Sequence, residues 1–99
     1  MFVIEFADKN LDRLETDPSF TNGLQRPLVR AFRKVMQALR AANNELDLYN
    51  SKGLHYEKLK GNRSHQRSIR LNDQWRLVLE LNSEVPNKKV TVIAIEDYH

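Results

Sequence analysis

The sequence predicts an α+β domain in which two N-terminal helices cover one face of a mostly antiparallel sheet of four to five strands. Three observations carry this. Residues 26–40 are amphipathic with helical periodicity, residues 66–79 have the alternation of a hairpin, and residues 90–95 form an apolar run. With 99 residues, 40% of them hydrophobic and 29% charged, and only three Gly and three Pro, the chain makes one small globular domain spanning residues 1–99.

In chain order, residues 2–6 alternate weakly and are β-prone, so they read as a first strand. A helix begins at Ala7-Asp8 with Leu11 and Leu14 on one side, and Asp17-Pro18 ends it. Residues 18–23 form a loop in which Thr21 or Asn22 is placed to cap the next helix. There Leu28, Val29, Phe32, Val35, Met36 and Leu39 fall on one arc, and Arg26, Arg30, Arg33, Lys34 and Arg40 fall outside it. Such a basic face suits either contact with RNA or ordinary solvation. Pro27 fits the first turn, and the helix runs out through Ala41-Ala42-Asn43-Asn44. Leu46, Leu48 and Tyr49 suggest one further helical turn before Ser51-Lys52-Gly53 breaks it. Residues 55–59 read as a strand, and Lys60-Gly61-Asn62-Arg63-Ser64 as a polar loop with anion-compatible groups. Residues 82–89, with Pro86, form a loop. The run Val90-Thr91-Val92-Ile93-Ala94-Ile95, apolar on both faces, is expected at a central position of the sheet.

The hairpin is the most informative stretch. In the run from Gln66 to Leu71 the period-2 rule puts Ile69 and Leu71 on one face and Ser68 and Arg70 on the other; in the run from Trp75 to Leu79 it separates Trp75, Leu77 and Leu79 from Arg76. Asn72-Asp73-Gln74 between them is turn chemistry, since Asn and Asp tolerate left-handed backbone. A two-residue loop would set Arg70 opposite Trp75 and mix the faces. A three-residue loop sets Leu71 opposite Trp75, Ile69 opposite Leu77 and Arg70 opposite Arg76, which keeps the apolar residues together. Two guanidiniums then face each other on the non-core side, where like charges repel by a few tenths of a kcal/mol or more. Either they attract an anion or both point into screened water.

Net charge is +3 but unevenly spread. Residues 55–76 hold six basic residues against two acidic ones, a net of +4, and residues 26–40 hold five basic residues and no acid, leaving −6 for the remainder. A basic patch on a chain of mixed charge is the electrostatic footprint of a polyanion binder. The chain has no cysteine, hence no disulfide or thiolate metal site, which favours an intracellular, cytoplasmic location. Phe2-Val3-Ile4 is too short for a signal-peptide core, and no stretch spans a membrane. Gly23, Gly53 and Gly61 are too scattered for a phosphate-cradling loop. His55, His65 and His99 lack HxxxH or HExxH spacing, so no metal or other cofactor is expected. Clustered cations with Tyr98 and His99 suit metal-free RNA cleavage, in which the 2′-OH attacks its own phosphate. The protein then need only align the nucleotide, stabilise charge and move protons.

Leu59-Lys60-Gly61-Asn62-Arg63, the run from Ser68 to Arg76 (SIRLNDQWR), and the closing Glu96-Asp97-Tyr98-His99 resemble the HigB branch of the RelE/ParE toxin superfamily. The resemblance implies a RelE-like, microbial-RNase-like fold. It also implies a type II toxin that enters the ribosomal A site and cuts mRNA during translation, held in check by a HigA-like helix-turn-helix antitoxin through which alone it would meet operator DNA. Carried over by position, Lys60, Arg70 and Arg76 match the family's catalytic or phosphate-binding cations, and Asp97, Tyr98 and His99 its C-terminal motif. Lys60 would neutralise or protonate, Arg70 and Arg76 hold the phosphate, Tyr98 stack on a base and His99 exchange a proton, with Asp97 orienting it. Lys58, Arg63 and Arg67 are further candidate RNA contacts. Glu57 stands where some members have a histidine three residues before the lysine, which makes it a candidate acid/base group. Two other readings stay open: the superfamily includes members that poison DNA gyrase, and the same charges suit a non-catalytic RNA-binding module.

Overall fold

The computed structural model describes residues 2–82 and 88–97. Strand β1 (Val3–Phe6) leads into helix α1 (Lys9–Thr16), and the long α2 (Arg26–Ala41) is followed by the short α3 (Glu45–Asn50). The remaining strands are β2 (Glu57–Lys58), β3 (Gln66–Arg70), β4 (Trp75–Asn82) and β5 (Lys89–Asp97). They form one sheet in the order β1-β5-β4-β3-β2, antiparallel throughout except for the β1–β5 pair. The expected fold class is therefore what forms, with α3 as a third helix. The expected loop around Pro86 falls in residues 83–87, outside the described residues.

Local chemistry accounts for the element boundaries. The Asp8 carboxylate accepts a hydrogen bond from the Asn10 backbone N–H at 2.7 Å and so caps α1. The cap expected from Thr21 or Asn22 does not form: α2 starts after Gln25 without a side-chain cap, with Pro27 in its first turn. Asn22 and Gly23 instead take successive left-handed conformations, φ 53° and 73°, to turn the chain. Asn44 caps α3 through the Asp47 N–H. The strand expected over residues 55–59 shortens to two residues because His55, at φ 48°, closes the tight turn at Lys52–Leu54 in the left-handed region.

The hairpin takes the three-residue loop. Ile69 pairs with Leu77 and Arg70 with Arg76, and the Leu71 N–H donates to the Trp75 carbonyl at 2.9 Å. The left-handed Asn or Asp expected in the loop does not form, since neither Asn72 nor Asp73 has a positive φ. The Asn72 side-chain oxygen accepts from the Gln74 and Trp75 N–H groups, at 2.9 and 2.8 Å.

Burial follows the same alternation. Leu11 and Leu14 of α1, Phe32, Met36 and Leu39 of α2, and Leu48 of α3 join Ile69, Leu77, Leu79, Val90 and Val92 in one core between helices and sheet. Each fully buried side chain of this size contributes about 1.5–3 kcal/mol. The strand β5 lies between β1 and β4, the central position its apolar run required. Pairing of Val78 with Ala94 but Leu79 with Val92 leaves Ile93 as a bulge. On the opposite face of the sheet, Ser68 and Val78 are buried as well.

A polar knot ties α3 to β3. The Tyr56 hydroxyl donates to Glu45 Oε2 at 2.7 Å, and Arg67 Nε donates to the same oxygen at 2.9 Å. Burial first, and the Glu45 carboxylate second, raise the Tyr56 phenol above its ordinary 10.0. The unfolded chain therefore ionises before the folded one. The stability linked to this proton is complete below pH 10 and is lost as pH rises further. Urea midpoints measured from pH 7 to pH 11 should fall at the alkaline end. Tyr56→Phe should cost about 1 kcal/mol at neutral pH and reduce that alkaline slope; equal slopes would remove the phenol from the linkage.

Candidate active site

The polar loop after β2 and the middle of the hairpin meet on the sheet face away from the helices. An open cleft of about 370 Å³ is lined by Glu57, Lys58, Leu59, Lys60, Arg63 and Arg76. Lys60, at the start of the turn Gly61–Arg63, and Arg76, at the second position of β4, come from segments separated in sequence by the whole of β3. The β2–β3–β4 register brings them together.

The last strand runs beside Arg76. Glu96 pairs with Arg76 across β4 and β5, and its carboxylate takes a two-pronged grip from Arg63, with Nη1–Oε1 at 3.0 Å and Nη2–Oε2 at 2.8 Å. Arg63 Nε also donates to Gln66 Oε1 at 2.8 Å. The Glu96 carboxylate holds the Arg63 guanidinium above its ordinary range. Arg63 thus spends its fork on positioning the loop. Lys58, Lys60 and Arg76 are the other cations lining the cleft, together with the carboxylate of Glu57. Lys58 and Lys60 form no ion pair among the described residues. A surplus of positive charge in a concave site suits a phosphodiester.

Other predicted residues lie elsewhere. Arg70 faces Arg76 in backbone register, but its guanidinium pairs with Asp73 and lines a second cavity against α2. The expectation that both forks close on one phosphate does not match this placement, because the carboxylate three residues on is within easier reach. Arg67 alternates to the helix face and is committed to Glu45. Asp97 pairs with Trp75 and accepts from Gln74 Nε2 at 3.1 Å. Tyr98 and His99 lie outside the described residues. The basic face of α2 is divided as well: Arg33 donates to the Leu14 and Asp17 carbonyls at the end of α1 and to the Phe20 carbonyl in the loop beyond, and Arg40 grips Glu15 at 2.6 and 2.7 Å. Those two arginines hold the helices together. Glu96 is the site residue to which sequence reasoning gave no role; extending the final strand by two residues would have placed it opposite Arg76.

This sheet with its helices on one face has close counterparts among solved structures. The YoeB/ParE toxin from Agrobacterium tumefaciens aligns with a TM-score of 0.62 at 14% identity, over 99% of this chain and 100% of that one. YafQ from E. coli strain BL21(DE3) gives 0.62 at 11% identity, over 99% and 94%. The YoeB-YefM complex from Staphylococcus aureus gives 0.56 at 16% identity, over 100% and 98%. The fold is that of the RelE-like toxins. The family model for the RelE-like toxin of type II toxin-antitoxin system HigB matches residues 4–99, and the chain belongs to this HigB-like toxin family. A comparison with curated proteins finds no match.

Proposed function

We propose that this toxin is a ribosome-dependent endoribonuclease that cuts mRNA in the A site. The observation that carries the proposal is the convergence of Lys60, Arg76 and Glu57 on one cleft, with the end of the last strand paired beside Arg76. The reaction is an intramolecular transesterification. The 2′-oxygen bonds to the adjacent phosphorus, the bond to the 5′-oxygen breaks, and one proton leaves the nucleophile while another reaches the leaving group. Arg76, with a planar fork matched to two phosphate oxygens, stabilises the charge that grows on phosphorus. Lys60 neutralises the same oxygens or protonates the leaving one. Lys58 draws in the flanking backbone, and Arg70 contributes only by exchanging Asp73 for phosphate.

Glu57 and His99 are the candidates for proton transfer. Histidine titrates near neutrality and suits both halves of the exchange. His99 and Tyr98 enter the proposal from the family motif and from following Asp97 directly in sequence; Tyr98 is assigned to stack on a base and Asp97 to orient His99. Dependence on the ribosome fits a cleft with few groups for holding RNA, since a structured partner would supply the alignment.

The toxin–antitoxin complexes among the structural relatives, YoeB-YefM from Staphylococcus aureus and RelBE2 from Mycobacterium tuberculosis, support an antitoxin partner for this chain, which we take to be of the helix-turn-helix kind. The proposed place of action is the cytoplasm; among the described residues no helix is long and apolar enough to cross a membrane. Primer extension on mRNA from cells expressing the toxin should show cuts at a fixed codon position, absent when translation initiation is blocked and absent for Lys60→Ala. Double-strand DNA breaks without RNA cuts would replace the nuclease by a gyrase inhibitor.

A further inference from the structure

Five arginines of this fold are matched to carboxylates: Arg13 to Asp17, Arg40 to Glu15, Arg63 to Glu96, Arg67 to Glu45 and Arg70 to Asp73. Arg26, Arg30 and Arg33 form no ion pair among the described residues. All three line one cavity of about 280 Å³, between the loop after α1 and the first half of α2, with Pro18, Ser19 and Thr21 on its loop side. No carboxylate lines it. Asp17, just before that loop, gives its carboxylate to Ser19 and to Arg13. Arg33 donates to the Leu14, Asp17 and Phe20 carbonyls at 3.0, 3.0 and 3.1 Å, which fix its direction without cancelling its charge.

Holding these charges together has local costs. Arg26 begins α2, at the end where the helix dipole is already positive. Arg26 and Arg30 repel across one helical turn, and no acid in the first turn offsets them. Neither forms a hydrogen bond among the described residues, so no contact within the fold compensates. Three guanidiniums in one concavity call for more negative charge than a single carboxylate carries. A phosphoryl group offers several charged oxygens to planar forks, and adjoining phosphoryl groups suit Arg26 and Arg30 at successive turns. The Thr21 hydroxyl, which has no partner among the described residues, supplies one further donor. No aromatic ring lines the cavity, so a base has nothing to stack on and recognition stops at the phosphates. This cavity shares no lining residue with the cleft of Lys60 and Arg76.

We propose that Arg26, Arg30 and Arg33 form a phosphate-binding site, separate from the candidate active site, that takes adjoining phosphoryl groups without regard to base. The test follows the arginine Nε–Hε signals of the isotope-labelled full chain by NMR during titration. The probes are inorganic tripolyphosphate, a short blunt RNA duplex, and an oligoglutamate peptide as a polyanion without phosphate. The Arg26 and Arg30 signals are expected to move saturably with both phosphate probes, and oligoglutamate should need about tenfold higher concentration or more. Movement with tripolyphosphate alone narrows the ligand to free oligophosphates, and with the duplex alone to a nucleic-acid backbone; either upholds the site. In an Arg26→Gln, Arg30→Gln variant the remaining Arg33 signal should report affinity about tenfold lower or worse, with a salt slope for the duplex smaller by about two. That variant should melt no lower than wild type, because it relieves the repulsion along α2. Arg76→Ala should leave the Arg26 and Arg30 titrations unchanged, which separates this site from the cleft. The proposal is overturned if neither phosphate probe saturates these signals, if oligoglutamate moves them equally well, or if the folded double variant keeps its affinity. Primer extension on the wild-type toxin decides the nuclease question separately.

Discussion

Removal of His99 alone is expected to abolish growth inhibition while leaving the unfolding temperature within a few degrees of wild type. General acid–base catalysis by a positioned side chain contributes about 10²- to 10⁴-fold. A toxin slowed by that factor would cut too few messages to arrest a cell. Stability should be nearly unaffected, because Ile95 is the last described residue that packs on the hydrophobic core, and substitutions away from the core usually stay within about 0.5 kcal/mol. His99→Ala keeps the backbone at that position, so agreement between the two variants isolates the imidazole. A fully toxic, folded chain of either kind would take His99 out of the reaction.

The second large effect is expected at Arg76. Arg76→Ala should lower single-turnover mRNA cleavage on programmed ribosomes by about 10²- to 10³-fold, the loss of roughly 2.7–4 kcal/mol seen when one preorganised charge-stabilising donor is removed. Arg76→Lys restores the charge but not the fork, and should recover only part of the rate. Arg70→Ala should cost much less, because that guanidinium is occupied by Asp73 and faces the other cavity. Near-normal cleavage by a folded Arg76→Ala variant, or a larger loss at Arg70 than at Arg76, would reverse the assignment of the two arginines.

Much of the backbone arrangement was legible from residue pattern. The α2 core face and the hairpin register follow from periods of 3.6 and 2, and a register slipped by one residue would have turned Ile69, Leu77 and Leu79 to the wrong side. Errors fell where a polar side chain had several uses. Asn22 turned the chain instead of capping α2, and Asn72 closed the hairpin through its side-chain oxygen instead of a left-handed backbone. The candidate site was legible only in part. Lys58, Lys60, Arg63 and Arg76 do share a cleft with Glu57, whereas Arg67 and Arg70 point to other partners.

The order of elements, the face each strand presents and the pairing of Arg70 with Arg76 were determined by the sequence itself, because alternation and turn length act within a few residues. Tertiary structure alone decided which cations found a distant carboxylate. Arg63 meets Glu96 from 33 residues away, and Arg40 meets Glu15 from 25. A long charged side chain pairs with whichever carboxylate the fold brings within reach of its tip, a distance in space that no local pattern encodes.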